Sequence, residues 1–281
     1  MTTRGRSRAV ALLGPGLSWL VVFFALPLAF IFAVSLGQRD AYGGVDLSHP
    51  SFANYLRALE PTFLPTVWNS LRYASLTTIL SIAIAYPMAY WISRYGGRRK
   101  PLLLVLVMLP FWTSYVIRTY AWMIILRDNG VVNSVLGALG LPTFQLLNTD
   151  LAVVFGMTYG FLPFTILPLY VAIDRLDPNL VQAARDLYAS GRSAFLHVTL
   201  PLTMPGVIAA AILTFIPAIG DFVTPDLLGG AQTTTIAKVI QTLFMSSRDW
   251  PFGSALGFVL ILITILGTVS GLRFLRREVI G

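Results

Sequence analysis

The side chains best suited to chemistry form a short stripe inside an otherwise apolar run. Tyr115, Arg118 and Trp122 are three and four residues apart, so they would share one face of a helix. An ionisable group within such a run is costly in lipid and should face a cavity, a partner helix or an interface. As a binding site, the stripe and the preceding Trp112 would offer aromatic faces to a cationic amine. As structure alone, Arg118 would reach outward or pair with an acid, and the aromatic rings would form an interfacial belt.

Two carboxylates follow a later apolar run. Asp221 and Asp226 enclose a short segment that ends in Pro225 and is preceded by Gly220. As binding groups, these acids would supply counter-charges to a cationic ligand. They are equally suited to pair with Arg118 or to cap short helices at the surface. The candidate binding residues are therefore Trp112, Tyr115, Arg118, Trp122, Asp221 and Asp226.

The sequence lacks the groups that catalysis or cofactor binding would require. The two histidines, His49 and His197, fall on opposite sides of the membrane in the topology derived below. Cysteine is absent, which excludes disulfides and thiolate metal sites. No Gly-x-x-x-x-Gly-Lys-Ser/Thr phosphate loop occurs. The sequence therefore predicts a protein that is not an enzyme and holds no metal or cofactor, so energy from ATP would require a separate ATPase polypeptide.

The composition indicates that lipid surrounds these side chains. Of the 281 residues, 56% are apolar and only 11% are charged, whereas soluble proteins carry about 25% charged residues. Six stretches are long enough to cross a hydrocarbon core of ~30 Å. They are Ala9–Leu36, Tyr73–Ser93, Pro101–Leu126, Leu151–Ile173, Val198–Gly220 and Trp250–Leu272. We therefore predict an all-α polytopic membrane protein with six transmembrane helices.

The positions of Lys and Arg predict the orientation of these spans. One side holds Arg4, Arg6, Arg8, Arg94, Arg98, Arg99, Lys100, Arg175, Arg185, Arg192, Arg273, Arg276 and Arg277. The other side holds Arg39, Arg57, Arg72, Arg127, Lys238 and Arg248. Since Lys and Arg accumulate in cytoplasmic loops, both termini are predicted to be cytoplasmic, in a bacterial inner membrane. The net charge of +8 does not indicate a nucleic-acid partner, because the basic residues lie in short clusters between apolar runs. The first run exceeds the roughly 7–15 residues of a signal-peptide core, so a retained anchor is predicted.

The inner loop between the fourth and fifth spans has the pattern of a helical projection. Asp177 is a predicted N-cap, with Pro178 at the first helical position. That helix should run to about Ser190 and end at Gly191, and Ser193 would cap a second short helix. Such a projection fits either an amphipathic connector on the membrane surface or a docking element for another protein.

This loop resembles the cytoplasmic signature loop of type I ABC importer permeases. The family pattern is a Glu-Ala-Ala triplet, a Gly after three intervening residues and a hydrophobic-x-Leu-Pro ending. The matches here are Ala183, Ala184, Val198, Leu200 and Pro201. Gln182 stands where the family has Glu, and Tyr188 stands where it has Gly. The resemblance implies a coupling helix that docks on the ATPase. The implied coupling residues are Asp177, Gln182, Ala183, Ala184, Arg185, Asp186, Leu187, Tyr188, Phe195, Leu200 and Pro201.

Two further segments resemble the spermidine/putrescine permease subunits of that family. They are Leu109–Trp122, followed by Asn129 and Gly130, and Gly220–Gly230. The resemblance implies an integral membrane permease subunit of a binding-protein-dependent ABC importer, forming the path for a small organic solute such as a polyamine. The implied partners are a homologous permease subunit, two ATP-binding cassette ATPase subunits, a periplasmic or extracytoplasmic solute-binding protein and the lipid bilayer.

The resemblance also implies a division of the chain. Residues 1–64 would form the cytoplasmic N-terminus, first helix and outer loop. Residues 65–273 would form the five-helix transmembrane domain with its coupling loop at 174–203, and residues 274–281 a cytoplasmic tail. The alternative is a self-sufficient secondary transporter or channel, which a charge at Arg118 and the Asp221 and Asp226 pair would also suit.

Overall fold

The structure, a computed structural model, describes residues 14–16, 18–40, 43–230 and 233–280, with the side chains of residues 272 and 274–280 excepted. Several predictions about the two ends of the chain lie outside these residues. They concern Arg4, Arg6, Arg8, the beginning of the first span at Ala9, and the side chains of Arg276 and Arg277. The predicted division at residues 64 and 273 stays a prediction.

Helices make up most of the described chain. They are α1 (Gly14–Ser35), α2 (Ala53–Ala58), α3 (Leu64–Tyr95), α4 (Lys100–Met108), α5 (Tyr115–Leu126), α6 (Val131–Ala138), α7 (Asp150–Asp174), α8 (Pro178–Asp186), α9 (Gly191–Ala194), α10 (Leu200–Ile219), α11 (Val223–Leu228), α12 (Ile236–Met245) and α13 (Trp250–Ile280). Single turns of 3₁₀ helix occur at Gly97–Arg99 and Leu109–Trp112, and π turns at Val21–Ala25 and Phe195–Thr199. Two short antiparallel strands, β1 (Gln38–Arg39) and β2 (Val45–Asp46), pair with Gln38 opposite Asp46.

Five helical segments in the described residues are long and apolar enough to cross a membrane. They are Gly14–Ser35, Leu64–Tyr95, Asp150–Asp174, Gly191–Ile219 and Trp250–Gly271. The shortest has 22 residues, about 33 Å at 1.5 Å per residue. Apolar side chains also face outward, as on α1, where Trp19 is 65% exposed and Phe24 is 67% exposed. A bundle with an apolar exterior suits lipid rather than water, and the predicted all-α polytopic architecture is confirmed.

The third predicted span is broken instead of continuous. Helical segments Gly97–Trp112 and Tyr115–Ala138 meet at 82°, and they count as a sixth span only if taken together. Pro110 lacks a backbone N–H and disfavours helix in the residue before it, so the helix tightens to a 3₁₀ turn there. Thr113 then adopts an extended conformation, with ψ 155°. The span predicted over Pro101–Leu126 is therefore divided into two helices, and the break falls at Pro110.

One compact unit comprises residues 65–238 and 262–281. Its buried core joins α3, α7 and α10 through Ala85, Tyr86, Ala89, Ile166, Leu169, Ile173 and Ala210. A buried hydrogen bond of 2.8 Å links the hydroxyls of Thr165 on α7 and Thr214 on α10. Gly206 lies so close to Ala172 that a Cβ would clash with it. Small and hydroxylated residues thus hold the two helices in close contact, as is common between membrane helices.

The other unit comprises the described residues between 14 and 64 together with residues 239–261. Its core contains Ala58, Leu243, Phe252 and Leu256. Arg57 lies over this core, with its guanidinium 4.0 Å from the centre of the Phe252 ring. The same guanidinium donates to Asp249 at 2.8 Å. This charged pair fastens α2 to the beginning of α13.

Candidate functional site

A mostly apolar groove of about 480 Å³ opens beside the broken span. Its lining residues come from the bend, from α5, α7 and α10, and from the residues after α10. They are Phe111, Thr113, Tyr115, Arg118, Gly160, Phe161, Pro163, Phe164, Pro217 and Asp221. Gly160 allows this arrangement, because a Cβ there would lie 2.9 Å from the Tyr115 ring. The absence of that Cβ lets the ring lie directly against α7.

Aromatic faces surround the charged head of Arg118. Its guanidinium carbon lies 4.9 Å from the ring centre of Phe111, 5.5 Å from Tyr115 and 5.7 Å from Tyr159. Its Nη1 donates a long hydrogen bond, 3.4 Å, to the carbonyl of Pro110. Within the described part of the chain, no carboxylate forms an ion pair with it. Asp221 and Asp226 both have other partners, so the expected pairing of Arg118 with an acid is not seen among the described residues. Cation–π contacts hold the group.

Asp221 has structural partners. Its Oδ1 accepts hydrogen bonds from the backbone N–H groups of Val223, at 2.9 Å, and Thr224, at 3.3 Å. Its Oδ2 accepts the hydroxyl of Tyr115 at 2.6 Å, and that hydroxyl also contacts the Thr224 hydroxyl at 2.6 Å. The residue is 8% exposed. It therefore satisfies the first N–H groups of α11 and fixes the Tyr115 ring.

Asp226 pairs with a lysine instead of lining the groove. The Lys238 Nζ lies 3.0 Å from Oδ1 of Asp226, and it also donates to the carbonyl of Gly230. The two acids that follow α10 thus have different partners. Among the described residues that line the groove, Asp221 is the one carboxylate.

The two predicted tryptophans differ in position. Trp122 packs edge-on against Phe155, with ring centres 4.8 Å apart, and against Tyr159 at 5.3 Å. Trp122 thereby contacts Tyr159, one of the three rings around the guanidinium of Arg118. Trp112 is 77% exposed and does not line the groove. Sequence reasoning missed the α7 residues, and the four-residue spacing of Phe155 and Tyr159 is the signal that would have indicated an aromatic face there.

The second candidate region is the α8 loop, which comprises residues 175–199 between α7 and α10. Its first cap is confirmed, since Oδ1 of Asp177 accepts from the backbone N–H of Asn179 at 2.9 Å and Pro178 opens α8. The predicted end of the helix is wrong. The α8 helix ends at Asp186, and Tyr188 follows with φ 60°.

A Schellman arrangement ends α8 early. The N–H of Tyr188 donates to the carbonyl of Arg185 at 2.9 Å, and the N–H of Ala189 donates to Ala184 at 3.1 Å. The left-handed position in this motif favours glycine, because it has no Cβ. Tyr188 therefore occupies a backbone conformation suited to the Gly of the family pattern.

The next helix begins where the first was expected to end. Ser190 is its N-cap, since its Oγ accepts from the N–H of Ser193 at 3.2 Å. Gly191 is consequently the first residue of α9, and the prediction that it ends α8 is wrong. The predicted cap at Ser193 is wrong by three residues.

The tip of the α8 loop is exposed. Leu187 is 82% exposed and Tyr188 is 99% exposed. Five more predicted coupling residues are exposed or partly exposed, namely Gln182, Ala183, Ala184, Arg185 and Asp186. Phe195 and Leu200 instead pack on the buried core of α3, α7 and α10.

A π turn joins the loop to α10. The N–H of Leu200 reaches the carbonyl of Phe195, five residues back. Pro201 has no N–H to donate and its ring would clash with the carbonyl four residues earlier, so the wider turn accommodates it. The segment Gly191–Ile219 is consequently one continuous helical run.

No metal site emerges from the described residues. No group of three His, Asp or Glu side chains among them comes close enough to hold an ion. The groove presents aromatic faces and one engaged carboxylate, and the loop presents an apolar tip.

Comparison with known proteins relates the chain to transport systems. The family described as "Binding-protein-dependent transport system inner membrane component" matches residues 10–277. The spermidine/putrescine transport system permease protein PotB of Haemophilus influenzae is 43% identical, over 93% of each chain. Among solved structures, a chain of a bacterial ABC transporter that imports alginate has a TM-score of 0.78 at 17% identity, covering 98% of this chain and 96% of that one. A second structure, of an alginate transporter bound to its periplasmic protein, has a TM-score of 0.74, with the same identity and coverage. At these identities the structural likeness shows the fold.

Proposed function

The chain belongs to the family of binding-protein-dependent transport system inner membrane components, it is a permease subunit of an ABC importer, and we propose that its solute is a polyamine such as spermidine or putrescine. The relative at 43% identity carries that substrate in its name. The observation that carries the proposal is the aromatic cage, in which three rings surround the guanidinium of Arg118. Faces that hold one organic cation suit the ammonium groups of another.

The groove suits passage better than tight capture. The cage already holds a positive charge, and the carboxylate of Asp221 is engaged by Tyr115 and by the start of α11. A polyamine would therefore gain cation–π contacts and meet repulsion from Arg118, so its residence there would be short. Trp122 keeps the cage in shape by packing on Tyr159.

The energy for import comes, in this proposal, from two ATPase subunits that dock on the α8 loop. The support is the exposed tip at Leu187 and Tyr188, the family pattern around Ala183 and Ala184, and the lack of a phosphate-binding loop in the sequence. Closure of the ATPases on ATP would push the loop and rock the spans between two states of access. Both termini and the loop would be cytoplasmic, as the distribution of Lys and Arg predicts.

Two further partners complete the proposed assembly. A homologous permease subunit would cover the open side of the groove. A solute-binding protein would deliver the polyamine from the other side of the membrane. The family description names dependence on a binding protein, and one solved relative has a periplasmic protein in its complex.

Uptake by the complete complex tests the substrate. The complex is purified through a tag on this chain, reconstituted in proteoliposomes with its binding protein, and supplied with labelled spermidine or putrescine. We expect uptake that requires ATP. ATP-driven uptake of another solute with none of either polyamine would refute the substrate. Gradient-driven uptake by this chain alone would refute the need for ATPases and favour a secondary transporter.

A further inference from the structure

Both ends of the α8 loop are fastened to the C-terminal part of α3. The first end follows α7, whose last residue is Asp174, and the second end enters α10 through the π turn at Phe195–Thr199. The contacts at the two ends differ in chemistry. The first is charged and the second is aromatic.

At the first end, three side chains hold the end of α7. The Lys100 Nζ lies 2.6 Å from Oδ1 of Asp174, and the Ser93 hydroxyl donates to the same oxygen at 3.0 Å. Arg94 donates to the carbonyls of Ile173, at 3.4 Å, and Leu176, at 3.2 Å. These carbonyls belong to the last turn of α7 and to the loop, where a helix leaves its acceptors unpaired and where a cation is favoured.

At the second end, the contacts are made by rings. Phe195 meets the edge of Tyr86, with ring centres 5.6 Å apart, and that of Tyr90 at 6.3 Å. The Tyr86 hydroxyl and the Thr203 hydroxyl are 2.8 Å apart in the buried core. Because this contact is buried and tightly packed, α10 and α3 would move together at this level.

The charged contact also reaches the broken span. Lys100 is the first residue of α4, which leads through the bend at Leu109–Trp112 to Arg118. The chain from Lys100 to Met108 is helical and therefore stiff along its axis. A displacement of Asp174 would thus be passed to the segment that shapes the aromatic cage.

We propose that Arg94 and the Lys100–Asp174 pair are positioning residues that transmit movement of the α8 loop to the broken span and its groove. The inference rests on the proposed function, because it assumes that an ATPase displaces the loop. It assigns these side chains to transmission, whereas the exposed tip at Leu187 and Tyr188 makes the docking contact. Loss of these contacts should therefore leave the ATPase bound but uncouple ATP hydrolysis from movement of the groove.

The test is the number of polyamine molecules imported per ATP hydrolysed by the reconstituted complex. Arg94→Gln, Lys100→Gln and Asp174→Asn should each lower this ratio by about threefold to tenfold, the usual range for residues that couple distant sites. The ATPase should co-purify with each variant at the wild-type stoichiometry. The exchanged pair Lys100→Asp with Asp174→Lys should recover much of the ratio.

Arg98→Gln is the matched control, since it removes one positive charge from an exposed position between Arg94 and Lys100. Its ratio should equal that of the wild type. A wild-type ratio in the Arg94 and Lys100 variants would overturn the inference, and so would loss of the ATPase from them. A wild-type complex that imports nothing with ATP would instead refute the proposed function, and the inference, which rests on that function, would then also be refuted.

A double-substitution cycle on the thermal unfolding of the purified chain tests the contact between Lys100 and Asp174 without any ATPase. Lys100→Gln and Asp174→Asn should shift the melting temperature less together than the sum of their separate shifts. Additive shifts would show that the two side chains do not interact, which would also overturn the inference.

Discussion

Tyr188 combines a left-handed backbone conformation with an exposed side chain. Its φ of 60° closes the Schellman motif of α8, a task that glycine performs without strain. An L-residue in the left-handed region costs roughly 1–2 kcal/mol. The side chain is 99% exposed, so packing within the chain does not offset this cost. Retention of an exposed ring at a strained position is consistent with a contact made to a partner.

Two substitutions at Tyr188 separate strain from contact. Tyr188→Gly and Tyr188→Ala both remove the ring, but only glycine relieves the left-handed strain. The glycine variant should therefore have a free energy of unfolding about 1 kcal/mol higher than the alanine variant, measured by denaturation in detergent. Both variants should capture less ATPase than the wild type, and to the same extent. If the more stable glycine variant captured more ATPase than the alanine variant, a contact made by the ring would be contradicted.

The hydroxyl of Tyr115 supports a second prediction at this scale. Tyr115→Phe deletes the hydrogen bond to Asp221 and leaves one oxygen of a buried carboxylate without that partner. We expect the free energy of unfolding to fall by about 1–3 kcal/mol. Tyr120→Phe is the control, because Tyr120 lies on the same helix with an exposed side chain. Equal melting temperatures for the two variants would show that the Asp221 contact contributes nothing.

At the scale of elements, local signals in the sequence predicted the beginning of α8 but neither its end nor the beginning of α9. The Asp177 cap was predictable because cap and helix are adjacent in sequence. The early end of α8 was not, because it depends on a left-handed Tyr188 that propensity disfavours. The bend in the third span lies at Pro110, which disfavours helix, but a proline does not by itself define an angle of 82°.

The same distinction applies to the groove. The i, i+3 spacing of Tyr115 and Arg118 was readable as one face, and the structure places both in the lining. The partners of these two residues could not be predicted from the sequence. Asp221, the partner of Tyr115, lies 106 residues away in sequence, and Tyr159, which contacts Arg118, lies on another span. Contacts across such distances depend on tertiary packing, which a single sequence does not encode as a local pattern.

A crosslink tests the role of α8 as an element. The chain has no cysteine, so Asp186→Cys places a unique thiol on the exposed loop. Labelled with a photoactivatable maleimide, it should crosslink to the ATPase in the assembled complex. Gln145→Cys, exposed before α7, is the control and should give no such product. Equal crosslinking from both positions would contradict specific docking on the loop.

At the scale of the whole molecule, the same two thiols test the orientation. Asp186→Cys should react with a membrane-impermeant maleimide in inside-out vesicles and stay unlabelled in spheroplasts. Gln145→Cys should show the reverse, since the distribution of Lys and Arg predicts that residue 145 lies outside. The converse labelling pattern would invert the proposed topology and place the α8 loop beyond the reach of an ATPase.

The cage around Arg118 has a consequence for how such importers diversify. The one acid in the described groove lining is engaged by the protein itself, so a molecule that passed through the proposed path would find no strong binding site there. Small differences between related cargoes would then be worth little at this step, and discrimination would fall to the protein that delivers them. A new nutrient could be acquired by exchanging the delivery protein, with the membrane conduit inherited almost unchanged.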